Sequence, residues 1–287
     1  PMRNVADVFE KLLYNGNPLG REIVGYKETL KKLKRDDFMD YLKRFYMAND
    51  TVVAVAGKFN EKKIIEKMTK YFDKMPSGKK PEIIPVDENQ KKPQVELKFK
   101  KTDQTHFVLG TRAYDFDHKD RFALSLLSVI LGGNMSSRLF IEVRERRGLA
   151  YYVRTNVEAY KDAGYIATQA GVEHKNLELA IKTILNEYKR ITKEKVSEKE
   201  LKQAKDFIKG KTVMSLEESD EVAMYFIDQE ATKGRILTPK EVFERIDKVS
   251  VNDIIRVAGD VFRNKKLNLA VIGPHKDTKK LSRILEV

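Results

Sequence analysis

The sequence predicts a fold of both helices and strands in which one structural unit occurs twice, and three observations support this prediction. Apolar residues at helical spacing alternate along the chain with short apolar stretches of strand length. A thirty-residue stretch near the N-terminus, residues 28–57, recurs near the C-terminus. Between the two copies lies a polar segment rich in proline and lysine, residues 76–93. Two related domains joined by a linker would account for all three features.

The N-terminal part of the chain predicts three helices and one strand. Residues 5–14, 35–47 and 60–73 carry apolar side chains at helical spacing. The stretch TVVAVAG at 51–57 is almost continuously apolar and predicts a buried strand. The segment PSGKKPEIIPVDENQKKP, residues 76–93, follows, and its proline and lysine content predicts an extended linker.

The part of the chain after the linker predicts strands separated by helices. The clearest local signal is KDAG, a turn between two stretches of strand character that would form a hairpin. Helices are expected over about 119–147, and again from the end of this hairpin to about residue 263. The predicted strands are 94–100, 105–113, 151–158, 163–172 and 267–273.

The internal repeat aligns residues 28–57 with residues 244–273 without a gap. Identical pairs are Glu28 with Glu244, Asp37 with Asp253, Ala54 with Ala270, Val55 with Val271 and Gly57 with Gly273. Apolar positions between these pairs also match, and each copy is a helix followed by a strand that ends in glycine. An ungapped match of this length predicts two related domains and not a solenoid.

The offset of the repeat predicts that the first domain is incomplete. The offset is 216 (244 minus 28), so Pro1 corresponds to Glu217. The second unit begins near Gln94, so residues 94–216 have no counterpart in the first unit. We therefore expect the chain to be a fragment. The expected boundaries are 1–75 for the C-terminal half of the first domain, 76–93 for the linker and 94–287 for a complete second domain.

The composition argues against several classes of protein. The chain has 287 residues, of which 41% are hydrophobic, and no run of about 18 apolar residues that would span a membrane. The absence of cysteine rules out disulfides and thiolate metal ligands, and it fits a reducing compartment such as the cytoplasm. The net charge is +13, but the lysines are spread along the chain beside acidic residues. This pattern favours a solvated surface over nucleic-acid binding.

Four stretches of the sequence resemble one known family. They are LLYNGNPLGREIVG (12–25), TVVAVAG (51–57), LGGNMSSRLFIEVRERRGLAYYV (131–153) and DAGYIATQAGV (162–172). The chain resembles the insulinase, pitrilysin and mitochondrial-processing-peptidase family of zinc peptidases, the inverzincins. The resemblance implies domains of the α+β class, each with a mainly antiparallel sheet covered by helices. It also implies that two such domains face each other around a peptide-binding chamber.

The zinc-binding motif of that family is absent from the sequence. The family uses H-x-x-E-H on a helix, where two histidines bind zinc and the glutamate acts as general base. The four histidines are His106, His118, His174 and His275, and no two of them lie within four residues of each other. The equivalent helix of the second unit carries LSLLS at 124–128. The resemblance implies that zinc belongs to the part before Pro1, and that this chain binds no metal.

The four histidines do not have the sequence surroundings of a catalytic or metal site. His106 lies in a predicted strand two residues after Gln104, a Q-x-H pattern that is common in the family. It is interpreted as a structural or chamber-lining residue. The other three lie in polar sequence and are interpreted as exposed loop histidines. The spacing suggests no Ser-His-Asp arrangement, and no glycine-rich phosphate loop is present.

The segment RERRGLAY, residues 144–151, contains the candidate substrate-binding residues. From the residues alone, Arg144 is a surface arginine at a helix end, Tyr151 is a strand core residue, and Gly148 forms the turn between them. The resemblance implies another role, because family members carry an arginine and a tyrosine seven residues apart that reach the peptide held at the zinc. Arg144 and Tyr151 match that spacing. The other residues of interest, Arg146, Arg147 and Tyr152, are interpreted as surface or packing residues.

The sequence is interpreted as the C-terminal portion of a zinc metalloendopeptidase. Arginine would donate to a peptide carbonyl and the tyrosine hydroxyl to the developing oxyanion. The expected partners are a peptide substrate and a zinc-binding N-terminal half, and the chain alone is expected to be inactive. Two alternatives stay open: a non-catalytic subunit that pairs with a separate zinc-binding chain, and a non-enzymatic peptide-binding protein.

Overall fold

A computed structural model describes residues 1–79 and 82–287. The predicted linker 76–93 includes residues 80 and 81, which lie outside the described residues. The helices are α1 Asn4–Leu13, α2 Lys27–Leu30, α3 Arg35–Phe45, α4 Glu61–Phe72, α5 Arg121–Gly132, α6 Leu177–Lys193, α7 Glu198–Ser215, α8 Ser219–Lys233, α9 Pro239–Asp247, α10 Val251–Val261 and α11 Thr278–Arg283. The strands are β1 Gln94–Phe99, β2 Thr105–Arg112, β3 Ala150–Ala159, β4 Gly164–Val172 and β5 Leu267–Gly273.

The chain forms two compact units, and neither is continuous in sequence. The first unit consists of Pro1–Glu22, Pro85–Lys209 and Lys240–Val287. The second unit consists of Ile23–Ile84 and Gly210–Pro239. The N-terminal helix α1 therefore belongs with the residues that follow the linker. With the repeat offset of 216, its counterpart lies within α8, which belongs to the second unit.

The first unit contains a five-stranded sheet with the strand order β1-β5-β2-β4-β3. Strand β1 pairs in parallel with β5, whereas β2 pairs antiparallel with β5 and β4, and β3 pairs antiparallel with β4. The sheet is therefore mixed and mostly antiparallel, and the α+β class is confirmed. The five strands that the sequence predicts after the linker are also confirmed. The β3–β4 pair is the predicted hairpin.

One face of the sheet carries the main hydrophobic core, beneath α5, α6 and α10. Tyr188 of α6 lies at its centre and is completely buried. Its ring stacks on Phe262 with centroids 4.1 Å apart. Its hydroxyl lies 2.6 Å from the Thr168 hydroxyl and 3.1 Å from the carbonyl oxygen of Leu109. These bonds satisfy the one polar atom of a large buried side chain and fix α6 against the middle of the sheet.

The opposite face of the sheet is covered in part by α1. Val5, Phe9 and Leu13 occupy positions i, i+4 and i+8 of this helix and are buried against apolar side chains of β2, β4 and β5. The Phe9 ring meets Tyr165 edge to face at 5.3 Å. The carboxylate of Glu10 accepts hydrogen bonds from the hydroxyls of Tyr160 and Tyr165, each at 2.8 Å. Residues upstream of the linker thus complete the second predicted domain.

The prediction of a buried strand at 51–57 is wrong. These residues are extended but are not paired in a sheet, and Val53 and Val55 are more than two-fifths exposed. Their repeat counterparts, Leu269 and Val271, are fully buried in β5, which pairs with β1 on one side and β2 on the other. A strand needs neighbours to satisfy its backbone groups. Within the described residues, no strand lies beside 51–57 to do so.

The second unit contains the predicted helices at 35–47 and 60–73, which are confirmed as α3 and α4. Both are amphipathic, yet neither contains a buried residue in the described structure. Asn60 caps α4 by accepting a hydrogen bond from the backbone N–H of Lys63 at 3.0 Å. Local capping and helical periodicity are thus present, whereas the packing that an apolar helix face normally makes is not.

Candidate functional site

Arg144 lies in a π-helical turn, Phe140–Glu145, which follows α5. The backbone N–H of Arg146 donates to the carbonyl of Ile141 at 2.9 Å, a bond across five residues in place of four. The wider turn buries Val143 in the core and leaves Arg144 exposed, with its guanidinium carbon 5.1 Å from the Phe140 ring centre. Single π-helical turns inside helices occur frequently at functional sites.

Gly148 ends the π-helical segment and turns the chain into β3. Its φ is +59°, the left-handed conformation that the sequence predicts for this position. The N–H of Gly148 donates to the carbonyl of Arg144 at 3.2 Å, and the N–H of Leu149 donates to that of Val143 at 2.9 Å. A Cβ at Gly148 would have open space around it, so the backbone angle and not crowding favours glycine here.

Tyr151 occupies a β-bulge at the start of β3. Ala150 is the partner of Val172 and Tyr152 is the partner of Gly171, so Tyr151 is the extra residue of the edge strand. Its side chain is 56% exposed. The interpretation of Tyr151 as a strand core residue is therefore wrong, because the bulge removes it from the buried alternation of the strand. Bulges commonly re-aim a side chain next to a binding site.

The three arginines of the run differ in their ionic partners. The carboxylate of Glu142 forms ion pairs with Arg146 and Arg147, with N–O distances of 2.5 Å and 3.6 Å. Among the described residues, Arg144 has no acidic partner within salt-bridge distance. Arg144 and Tyr151 lie on the two sides of the Gly148 turn, both exposed, and no hydrogen bond in the described structure joins their side chains.

His106 and Tyr152 belong to a second polar cluster, on the sheet face that α1 partly covers. The Nδ1 atom of His106 lies 3.1 Å from the hydroxyl of Tyr152, and the two rings are nearly parallel. Burial lowers the pKa of His106 and raises that of Tyr152, which keeps both side chains uncharged near neutral pH. The structural interpretation of His106 is consistent with these contacts, and Tyr152 is a partly buried packing residue.

The interpretation of the other three histidines as exposed loop residues is wrong. His118 stacks on Tyr114 at 3.8 Å and is partly buried. His174 and His275 are also partly buried, and both contact the fully buried hydroxyl of Thr105, at 2.8 Å through Nδ1 and at 2.7 Å through Nε2. Thr105 lies 69 and 170 residues from these partners, so no local sequence pattern could have revealed the cluster.

The Thr105 cluster predicts acid-sensitive folding of the first unit. The Thr105 hydroxyl has one proton to donate, so at most one of the two imidazole nitrogens that face it can act as its acceptor. Burial, and then the charge of His174, lower the pKa of His275. The unfolded state therefore binds more protons than the folded state in mild acid. Other charged side chains that line the cleft beside the pair are Lys175, Glu178, Lys276, Asp277 and Lys280.

We expect stability to be full above the ordinary histidine pKa of about 6.5 and to fall as pH drops through that value. Urea unfolding at pH 7.5 and pH 5.5 would measure the loss. The loss should be smaller in His275→Gln, whose amide keeps a donor but does not titrate. An equal loss in both proteins would place the acid sensitivity elsewhere.

No metal centre is present in the described part of the chain. No group of three or more histidine, aspartate or glutamate side chains there could hold an ion. His174 and His275 share the Thr105 hydroxyl, and no third histidine or carboxylate of the described residues joins them in a group that could hold an ion. In residues 1–79 and 82–287, no helix is both long and apolar enough to cross a membrane.

Comparisons with known proteins agree on one family. The profile described as "Peptidase M16 inactive domain" matches residues 32–207. The chain is 30% identical to an uncharacterized zinc protease of Streptomyces coelicolor, over 98% of this chain and 62% of that protein. It is 28% identical to the beta subunit of the mitochondrial processing peptidase of Saccharomyces cerevisiae, over 94% of this chain and 62% of that protein. The chain thus spans less than two thirds of these relatives.

A solved structure shares the fold. The crystal structure of a protease from Helicobacter pylori matches with a TM-score of 0.86 and 22% identity, over 96% of this chain and 67% of that one. At this identity the match concerns the fold alone. It agrees with the arrangement of one mixed sheet and its covering helices.

Proposed function

Because the chain belongs to the M16 peptidase family through its match to the inactive domain, we propose that it is the C-terminal portion of a zinc metalloendopeptidase. In this proposal the zinc and its H-x-x-E-H motif belong to a separate N-terminal half. The present chain supplies Arg144 and Tyr151 to the peptide held at that zinc. It therefore acts in substrate binding and transition-state support, and by itself it is inactive.

The exposure of Arg144 and Tyr151 on either side of one glycine turn is the observation that carries this proposal. Both side chains leave regular structure, one through a π-helical turn and the other through a bulge. The guanidinium of Arg144 has no acidic partner in the described structure, so its donors can take a peptide carbonyl. The hydroxyl of Tyr151 can donate to the oxyanion that develops when water attacks that carbonyl.

The incompleteness of the first repeat supports the existence of a separate half. Phe38 is 58% exposed and Tyr46 is 57% exposed. Their repeat counterparts in α10 and just after it, Ile254 and Phe262, are 0% and 4% exposed. In the second repeat this helix packs on α5 and α6. In the described structure α3 of the first repeat contains no buried residue, and we propose that the zinc-binding half supplies the helices that cover it.

The proposed zinc half would bring a Lewis acid and a general base to the chamber. The chemistry of the present chain would be limited to hydrogen-bond donation and orientation of the peptide. In the proposal, residues 1–75 are the end of the first domain, residues 76–93 the linker and residues 94–287 the second, non-zinc domain. Helix α1, from the first of these three segments, packs on the sheet that the third segment forms.

A natural two-chain enzyme is the alternative that a specific observation favours. One relative is named as the beta subunit of a processing peptidase, which implies a multi-subunit enzyme. In that case this chain would be a non-catalytic subunit and the zinc-binding chain would be encoded separately. A reading frame with H-x-x-E-H continuous with Pro1 would support the fragment. A separate gene for such a chain beside a start codon near Met2 would support the subunit.

Reconstitution tests the proposal directly. We expect the chain alone to retain no stoichiometric zinc after dialysis and to leave a fluorogenic peptide uncut. Adding a purified N-terminal half that carries H-x-x-E-H should produce both zinc binding and cleavage. Phe38→Ala should weaken the assembly, because it removes an apolar anchor from the exposed face of the first repeat.

Met135→Ala is the matched control, since Met135 is also exposed but lies outside the repeat. Elemental analysis would measure zinc binding, peptide kinetics would measure cleavage, and analytical ultracentrifugation would measure assembly. Zinc held stoichiometrically by the chain alone would contradict the proposal. So would an assembly in which Phe38→Ala and Met135→Ala behave alike.

A further inference from the structure

The two adjacent tyrosines at the start of β3 raise a problem of register, which rests on the proposed role of Tyr151. Tyr151 and Tyr152 carry the same phenol, and consecutive residues of a strand point to opposite faces of the sheet. A slip of one residue in the β3–β4 pairing would exchange their positions. Strand β3 lies at the edge of the sheet, where only one neighbour fixes its register. Something must therefore determine which tyrosine is exposed.

A row of three residues across the sheet holds Tyr152 in place. Gly171 of β4 is the register partner of both His106 in β2 and Tyr152 in β3. A Cβ at Gly171 would lie 2.6 Å from Cε1 of Tyr152, so the Tyr152 ring occupies the space that a side chain would fill. The ring crosses β4 over this glycine and reaches His106, with ring centres 6.0 Å apart and planes 27° apart. The lack of a side chain at Gly171 thus leaves the space in which the Tyr152 ring packs.

Hydrogen bonds fix the far end of the Tyr152 ring. The Nε2 atom of Gln169 donates to the Tyr152 hydroxyl at 3.3 Å. That hydroxyl lies 3.1 Å from Nδ1 of His106 and can donate its own proton there in the tautomer that leaves this nitrogen unprotonated. Gln169 is itself held, because its amide also donates to the carbonyl of Met2 and its oxygen accepts from Arg154. Among the described residues, none of the buried side-chain polar atoms that lack a hydrogen-bond partner belongs to this network. A shift of Tyr152 by one position would break both bonds to its hydroxyl.

We propose that His106, Gly171 and Gln169 are positioning residues that lock Tyr152 and thereby present Tyr151 at the bulge. The lock acts on the residue immediately after the bulge, so it fixes the point at which regular pairing resumes. With Tyr152 seated over Gly171, the extra residue between Ala150 and Tyr152 can only be Tyr151. The lock makes no contact with substrate. Its effect is to determine which of the two tyrosine hydroxyls is exposed to solvent.

Tyrosine nitration by tetranitromethane, mapped by mass spectrometry, tests the lock on the chain as it exists. In the wild type, Tyr151 should react quickly and Tyr152 slowly. His106→Ala removes the acceptor, and the nitration rate of Tyr152 should rise on the order of tenfold. His106→Gln offers an amide oxygen in place of Nδ1 and should restore protection. Gly171→Ala should displace the ring and expose Tyr152 as well.

His118→Ala is the control for loss of a ring-stacked histidine, since His118 contacts Tyr114 and not Tyr152. Circular dichroism of each variant identifies those that fail to fold. If Gly171→Ala fails to fold, His106→Ala alone still tests the proposal. The inference fails if Tyr152 reacts as fast as Tyr151 in the wild type, or if His106→Ala leaves it protected. Nitration requires no peptidase activity, so this failure is distinct from failure of the proposed function.

Discussion

Tyr151→Phe is expected to lower turnover about 100-fold in an enzyme assembled from this chain and a zinc-binding half. The substitution removes one hydroxyl and almost no volume from a side chain that is 56% exposed, so the fold should persist. A donor that acts on the developing oxyanion contributes in the transition state and little in the ground state. The loss should therefore be in kcat, with a smaller change in KM. Steady-state kinetics on one peptide would measure both.

Two arginine variants separate the role of Tyr151 from a general effect of the basic run. Arg144→Ala should reduce both binding and turnover, because it removes donors that position the peptide. Arg147→Ala should change activity little, because Arg147 already faces Glu142 and lies off the matched spacing. Melting temperatures recorded alongside would exclude unfolding. Near wild-type turnover in Tyr151→Phe, or equal losses of activity in the two arginine variants, would contradict the proposed role of this segment. The segment would then be only a helix end followed by a strand start.

Phe9→Ala is expected to lower the free energy of unfolding of the first unit by about 3–5 kcal/mol. Phe9 is 1% exposed and lies on the sheet face opposite the main core, against the ring of Tyr165. Truncation would leave a cavity between α1 and the sheet, and the hydrogen bonds from Tyr160 and Tyr165 to Glu10 would hold the helix too rigidly to fill it. Urea unfolding followed by circular dichroism would measure the loss.

Phe38→Ala supplies the control of identical chemistry. Phe38 is exposed on α3, so its truncation should change the stability of this chain by well under 1 kcal/mol. A small effect of Phe9→Ala would mean that α1 does not stay on the sheet in solution. A large effect of Phe38→Ala in the isolated chain would mean that the first repeat already has partners for that face.

The regular parts of the fold were accessible from the sequence because their signals are local. The hairpin of β3 and β4 follows from two short stretches of strand character around KDAG, and α3 and α4 follow from apolar spacing. The failure at 51–57 has a physical cause. The composition of TVVAVAG favours a strand that is buried within a sheet. Such burial requires neighbouring strands, and no described strand lies beside these residues.

The candidate site was accessible only in part. Arg144 and Tyr151 were singled out only through the family resemblance, whose arginine–tyrosine spacing they match, whereas the left-handed φ of Gly148 follows directly from residue type. The bulge at Tyr151 was not predictable, because it depends on the register against Gly171 and Val172 in another strand. The pairing of Arg146 with Glu142 follows the i,i+4 spacing of a helix, whereas Arg147 lies five residues after Glu142 and its pairing does not follow from that spacing. The cluster at Thr105 joins this residue to His174 and His275, which are distant in sequence. The local sequence around each of the three residues gives no sign of the contact.

The position of α1 has a genetic consequence. The helix is encoded before the linker, yet Val5, Phe9 and Leu13 cover a sheet whose strands are all encoded after it. A recombination event at the linker would therefore uncover the apolar face of this sheet. A crossover there would separate a hydrophobic surface from its only helix on that side in the described structure. A gene segment that encodes this sheet without residues 4–13 would therefore encode a protein with an uncovered apolar face.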